Sequence, residues 1–145
     1  METNSNVLGQ DPRAFLTADH ARLEKLCRGL LEEFDDGSNR DLRAEWKEFE
    51  DGLLTHLAVE EKYILPPFAR VHPKEAEQIL REHTEIRRKL GDLGAGIDLH
   101  LVNRGIAQDL IANLGAHAMR EEKALYAFAN ELDGPVREAI IAEVH

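Results

Sequence analysis

Four stretches of this chain carry apolar residues at alternating intervals of three and four, and each of these seams is broken by histidine, alone or with glutamate. That spacing keeps side chains on one face of an α-helix, so the chain is confined to packed amphipathic helices. The first seam is Leu16, His20, Leu23, Cys27, Leu30 and Phe34, behind Asp11-Pro12, an N-cap residue followed by one whose missing N–H costs nothing in a first turn. It ends at a turn expected over Asp35–Asn39. The second runs Trp46, Phe49, Leu53, His56, Glu60 and Tyr63, and Pro66-Pro67 and His72-Pro73 are expected to close it. The third, starting near Pro73, is Ala76, Ile79, His83, Ile86, Leu90 and Leu93, and is expected to loosen through Gly91, Gly94 and Gly96. The fourth is Ile106, Leu110, Leu114, His117, Glu121, Leu125 and Phe128, with Gly134-Pro135 setting off a short last helix that could cap one end. The expected fold is all-α: an up-down-up-down four-helix bundle with a short C-terminal helix, forming one domain over 11–145 behind a flexible N-terminus of residues 1–10.

Composition removes several function classes. A length of 145 residues suits one domain, and a net charge of −10 without a Lys/Arg cluster repels a phosphate backbone, so nucleic acid is not an expected partner. Cys27 is the only cysteine, which rules out an internal disulfide and a thiolate zinc cage. The opening METNSNVLGQ lacks the basic start and apolar run of a secretion signal, and no apolar stretch reaches the ~18 residues of a membrane span. A cytoplasmic protein without a membrane partner is expected.

The polar interruptions are not scattered. His56-x-x-x-Glu60-Glu61-Lys62 parallels His117-x-x-x-Glu121-Glu122-Lys123, and Asp19-His20-x-x-Leu23 parallels Glu82-His83-x-x-Ile86, so the chain reads as two related helical hairpins. In an antiparallel hairpin, residues equidistant from the turn share a level. The midpoint of His20 and His56 is position 38, that of Glu60 and His83 lies between 71 and 72, and that of His83 and His117 is position 100. Each falls at or beside an expected turn, which puts all four interruptions at one height in the bundle. Four imidazoles and two carboxylates in an apolar interior are costly unless something satisfies them, and metal binding does so economically. Six ligands suit two ions better than one. Imidazole accommodates iron, zinc and copper, and carboxylate adds manganese, while nitrogen-rich donors disfavour calcium and magnesium. The Glu-x-x-His pairs of ferritin-like bundles are absent, since Thr17, Leu53, Leu80 and Leu114 stand three before the histidines.

With a lone His on the first and third helices and His-x-x-x-Glu-Glu on the second and fourth, the sequence resembles the hemerythrin-like (HHE cation-binding) domains over roughly positions 11 to 130. The resemblance implies a non-haem centre of two iron ions with an oxo or hydroxo bridge, ligated by His20, His56, Glu60, His83, His117 and Glu121. It also implies a small diatomic gas or peroxide as the ligand, whether the protein binds, senses or turns over oxygen, peroxide or nitric oxide, or handles iron as cargo. Oxygen-carrying hemerythrins supply a second histidine one turn after the third-helix histidine, and here that position is Arg87. The sequence therefore resembles the branch with four histidines and two glutamates.

Other polar residues receive plainer readings. Glu61 and Glu122 are turned about 100° from the ligand glutamates and are expected at the surface or supporting a ligand. Tyr63 and Tyr126, one or two turns from the carboxylates, are expected to pack, with a hydrogen bond to the site as the alternative; Cys27 is expected to be a buried apolar residue, and His72, His100 and His145 to be solvated. Arg87 either pairs with a carboxylate or faces solvent.

Overall fold

A computed structural model describes residues 11–35, 42–98 and 104–144. The expected turn at Asp35–Asn39, the N-terminus, His100, His145 and the side chain of Phe34 lie outside the described residues. Helix α1 spans Pro12–Asp35, α2 Arg43–Val59, α3 Leu65–Val71, α4 Pro73–Asp98, α5 Arg104–Lys123, α6 Leu125–Ala129 and α7 Gly134–Val144. A π-helical turn, Glu60–Ile64, joins α2 to α3. The described residues are all helical or in turns, with no strand among them.

Local chemistry explains the start of α1, where Asp11 Oδ1 accepts from the Ala14 N–H at 3.2 Å. The four long helices close a ring of contacts, α1 on α2, α2 on α4, α4 on α5 and α5 on α1, which makes a helical bundle. Its core has two parts. One cluster joins Leu23, Cys27, Leu30, Phe49, Leu53, Ile86, Leu90 and Leu110; the other joins Leu16, Ile64, Phe68, Ile79, Leu125, Tyr126 and Ile140. Each fully buried Leu, Ile or Phe contributes about 1.5–3 kcal/mol of transfer free energy. The helix α7 packs against α1 and α2 and lends Ile140 to the second cluster.

Two boundaries differ from expectation. Helical chain continues past Pro66-Pro67 as far as Val71. In the π turn the Leu65 N–H bonds to Glu60 O, five residues back, and Pro66 and Pro67 then fall in the first turn of a fresh α segment, where absent N–H groups cost no hydrogen bond. The glycine-rich stretch stays helical through Asp98. Packing overrides propensity there: a Cβ on Gly94 would come 3.2 Å from Trp46 Nε1 and 3.3 Å from Glu50 Oε2, so the bare backbone allows α4 to approach α2 closely.

Candidate metal centre

All six interrupting residues meet between the two core clusters. Helix α1 supplies His20, α2 supplies His56, the π turn supplies Glu60, α4 supplies His83, and α5 supplies His117 and Glu121. Their donor atoms form two groups, His20–His56–Glu60–Glu121 and Glu60–His83–His117–Glu121, with the atoms of each within 4.8 Å of one another. The carboxylates are divided between the groups. Glu60 sets Oε2 2.9 Å from His56 Nε2 and Oε1 3.0 Å from His83 Nε2. Glu121 sets Oε1 3.2 Å from His20 Nε2 and Oε2 2.9 Å from His117 Nε2. Each glutamate thus spans a histidine pair from the first hairpin and a pair from the second.

The outward ring nitrogens are held by carboxylates that follow the internal repeat. His56 Nδ1 donates to Asp19 Oδ2 at 2.7 Å and His117 Nδ1 to Glu82 Oε1 at 2.7 Å; each acceptor directly precedes a histidine of the cluster. His83 Nδ1 donates to Glu61 Oε2 at 2.6 Å, and His20 Nδ1 lies 3.6 Å from Glu122 Oε1; these acceptors directly follow Glu60 and Glu121. Three are braced in turn by arginine: Asp19 by Arg22, Glu61 by both Nη atoms of Arg87, and Glu82 by Arg120. Arg87 therefore pairs with a carboxylate, and Glu61 and Glu122 support histidines. A carboxylate on Nδ1 fixes the ring and aims Nε2 inward. Converting Glu82 to Gln removes that charge beside His117 while keeping its size, and a 10–100-fold weaker metal affinity is expected in a competitive chelator titration.

Without metal, protons stand in for cationic charge. Burial alone would lower the His56 pKa, but the Glu60 charge and the Asp19 hydrogen bond push it up to about 10. His83 is likewise opposed by burial and raised to about 11 by the close carboxylates of Glu121, Glu60 and Glu61. Burial would raise Glu61, yet His83 and Arg87 bring it down to about 2. Cys27 is buried, which pushes its thiol up to about 12 and leaves it a small apolar residue rather than a thiolate.

Tyr126 is the site residue that the periodicity did not reveal. Its hydroxyl donates to Glu60 Oε2 at 2.6 Å and lies 2.7 Å from His20 Nε2 and 2.8 Å from His56 Nε2, with the side chain fully buried. At about 100° per residue, a position five after Glu121 should point about 140° away from it. The helix is interrupted at Ala124, between the end of α5 at Lys123 and the start of α6 at Leu125, with φ −114° and ψ −59° there, and Tyr126 lies just beyond that interruption. Its counterpart in the internal repeat is Leu65, an apolar residue of the second core cluster; the other tyrosine, Tyr63, is partly exposed with Lys62 Nζ over its ring.

The donor set fits a metal pair. Glu60 Oε1 and His117 Nε2 are buried without a hydrogen bond, although His83 Nε2 and Glu121 Oε2 stand only 3.0 and 2.9 Å away. Donor atoms this close and this poorly directed toward one another are arranged for a shared cation rather than for mutual hydrogen bonding. Four nitrogens and two carboxylates suit a transition metal. Among the described residues no helix is long and apolar enough to cross a membrane. Neither the curated proteins nor the solved structures gave a match. The family description "Hemerythrin HHE cation binding domain" matches residues 11–129, which include every residue of the cluster. On that match and this donor set, the chain belongs to the hemerythrin HHE cation-binding domain family.

Proposed function

We propose that the cluster holds two iron ions with an oxo or hydroxo bridge, and that the protein uses them to bind, sense or react with oxygen, peroxide or nitric oxide. The observation that carries this reading is the division of Glu60 and Glu121, each with one oxygen toward the His20–His56 pair and the other toward the His83–His117 pair. His20 and His56 would hold one ion, His83 and His117 the other, and the two carboxylates would span both. This is the four-histidine, two-glutamate set, and the up-down-up-down order of the long helices belongs to the same reading, since antiparallel neighbours put residues equidistant from a turn at one level. Iron bound there would supply reversible electron transfer and a position open to a small ligand.

The chain's own residues restrict that ligand. A cavity of about 20 Å³, room for about one water, abuts His20, His56 and His117 and is walled by Leu23, Leu53, Leu57, Leu114 and Ala118, with Glu24 the one charged residue beside them. Its size suits a diatomic or peroxide better than an organic substrate. Burial of the donors, with carboxylates bracing the histidines, supports resident metals over cargo.

The test is metal content by plasma mass spectrometry on wild type and His56→Ala, with visible spectra taken under nitrogen, oxygen, nitric oxide and peroxide. Two irons per chain, depleted in the variant, and a spectrum that responds to one of these gases or to peroxide are expected. Zinc, or no metal, with an unchanged variant would sink the reading. Sustained consumption of peroxide or nitric oxide would move it from binding to an oxidoreductase.

A further inference from the structure

The Tyr126 hydroxyl has every one of its hydrogen-bond partners inside the metal cluster: His20, His56, Glu60 and Glu121, the last at 3.3 Å. Those four residues are one of the two candidate metal groups in its entirety. The two histidines of the second group, His83 and His117, have no hydroxyl partner among the described residues. We propose that Tyr126 is a ligand of the ion held by His20 and His56 and not of its neighbour, which makes the two positions of the centre chemically unequal. The proposal rests on the reading of this cluster as a metal pair and adds a seventh donor to it.

Three observations carry it. One phenolic oxygen lies within 2.8 Å of three donor atoms of a single group, so a cation that engages those three has that oxygen as an immediate neighbour. The side chain is fully buried and follows directly on the interruption of the helix at Ala124. The fold does not repeat the arrangement in the other hairpin, where the position equivalent to Tyr126, 61 residues earlier, is the buried Leu65, which offers no donor atom. A phenolic oxygen is a hard donor suited to ferric iron, and coordination displaces its proton as it does that of a coordinating thiol. When the oxygen lone pair forms the bond to the ion, the O–H proton passes to solvent and no electron changes hands. The donor count is then two nitrogens, two carboxylates and a phenolate at one position, against two nitrogens and two carboxylates at the other.

The chain has only two tyrosines, which makes the assignment testable. Metal-free protein is loaded anaerobically with ferrous iron and oxidised in air, and its iron content, visible absorption and resonance Raman spectrum are recorded for wild type, Tyr126→Phe and Tyr63→Phe. Circular dichroism checks that each variant is folded. The expected result is a phenolate-to-iron(III) charge-transfer band with tyrosinate ring modes in wild type and Tyr63→Phe. Tyr126→Phe should lose both signals while keeping at least one iron per chain. Release to a chelator should be biphasic in wild type, with the slow phase accelerated about tenfold or more in Tyr126→Phe. Two bound irons in wild type without the band, or a band that survives in Tyr126→Phe, would overturn the tyrosine assignment and leave the metal reading standing. No iron bound in wild type would overturn both.

Discussion

Glu121→Ala is expected to empty both metal positions, whereas His20→Ala should cost only one. The difference follows from sharing. Glu121 contributes to both donor groups, with Oε1 toward His20 and Oε2 toward His83 and His117, while His20 belongs to one group alone. Glu121 is also where the histidines' charge is answered. Burial would raise its pKa, but the close imidazoles of His117, His20 and His83 hold it well below the ordinary carboxylate value, so it stays ionised at neutral pH. Truncating it leaves those imidazoles without their anion and each ion with one bridging oxygen fewer. Metal per chain should fall from about two to near zero for Glu121→Ala and to about one for His20→Ala, with metal content read beside circular dichroism to confirm folding. Equal losses in the two variants would refute the shared-carboxylate reading.

Opposite pH dependences are expected for the metal-free and metal-loaded protein. In the metal-free form the folded pKa values of His56 and His83, about 10 and about 11, lie above the ordinary histidine value of about 6.5. Their contribution to stability is therefore complete below about pH 6.5 and is lost as pH rises toward 10 to 11, because the unfolded chain gives up these protons first. Metal must displace the same protons from the imidazoles, so its affinity rises over that interval. Thermal scans from pH 6 to pH 9.5 should show the Tm of chelator-treated protein falling with pH, and the gain in Tm on adding metal growing. Loading at neutral pH in weak buffer should acidify the solution. A Tm gain independent of pH would mean that the metal does not compete for these imidazoles.

Much of this architecture was legible without coordinates because helices built on alternating steps of three and four expose their buried face in the pattern itself. Leu16, Leu23, Phe49, Leu53, Ile79, Ile86, Leu90 and Leu110 are all buried as their seams require. Equal distances from the turns likewise foretold that His20, His56, His83 and His117 would meet. Features that depend on a departure from regular helix were hidden. Continuation through Pro66-Pro67 needs a π turn, and Tyr126 lies just beyond an interruption of the helix at Ala124. Gly94 resisted reading for another reason: glycine weakens a helix unless a neighbour presses against it, and Trp46 does so from a distant part of the chain.

Periodicity and internal repetition thus determined, within the sequence, an all-helical chain and the six donors that share one height in it. Tertiary structure alone decided how those donors are divided and supported. The crossing of Asp19 to His56, Glu82 to His117 and Glu61 to His83 joins residues from different helices at 2.6 to 2.7 Å, and Tyr126 approaches His20 and His56 at 2.7 and 2.8 Å. Helical spacing reports only which face of its own helix a residue occupies. The distance between side chains on neighbouring helices depends on how those helices rotate, kink and approach, and that is settled by packing across the whole bundle.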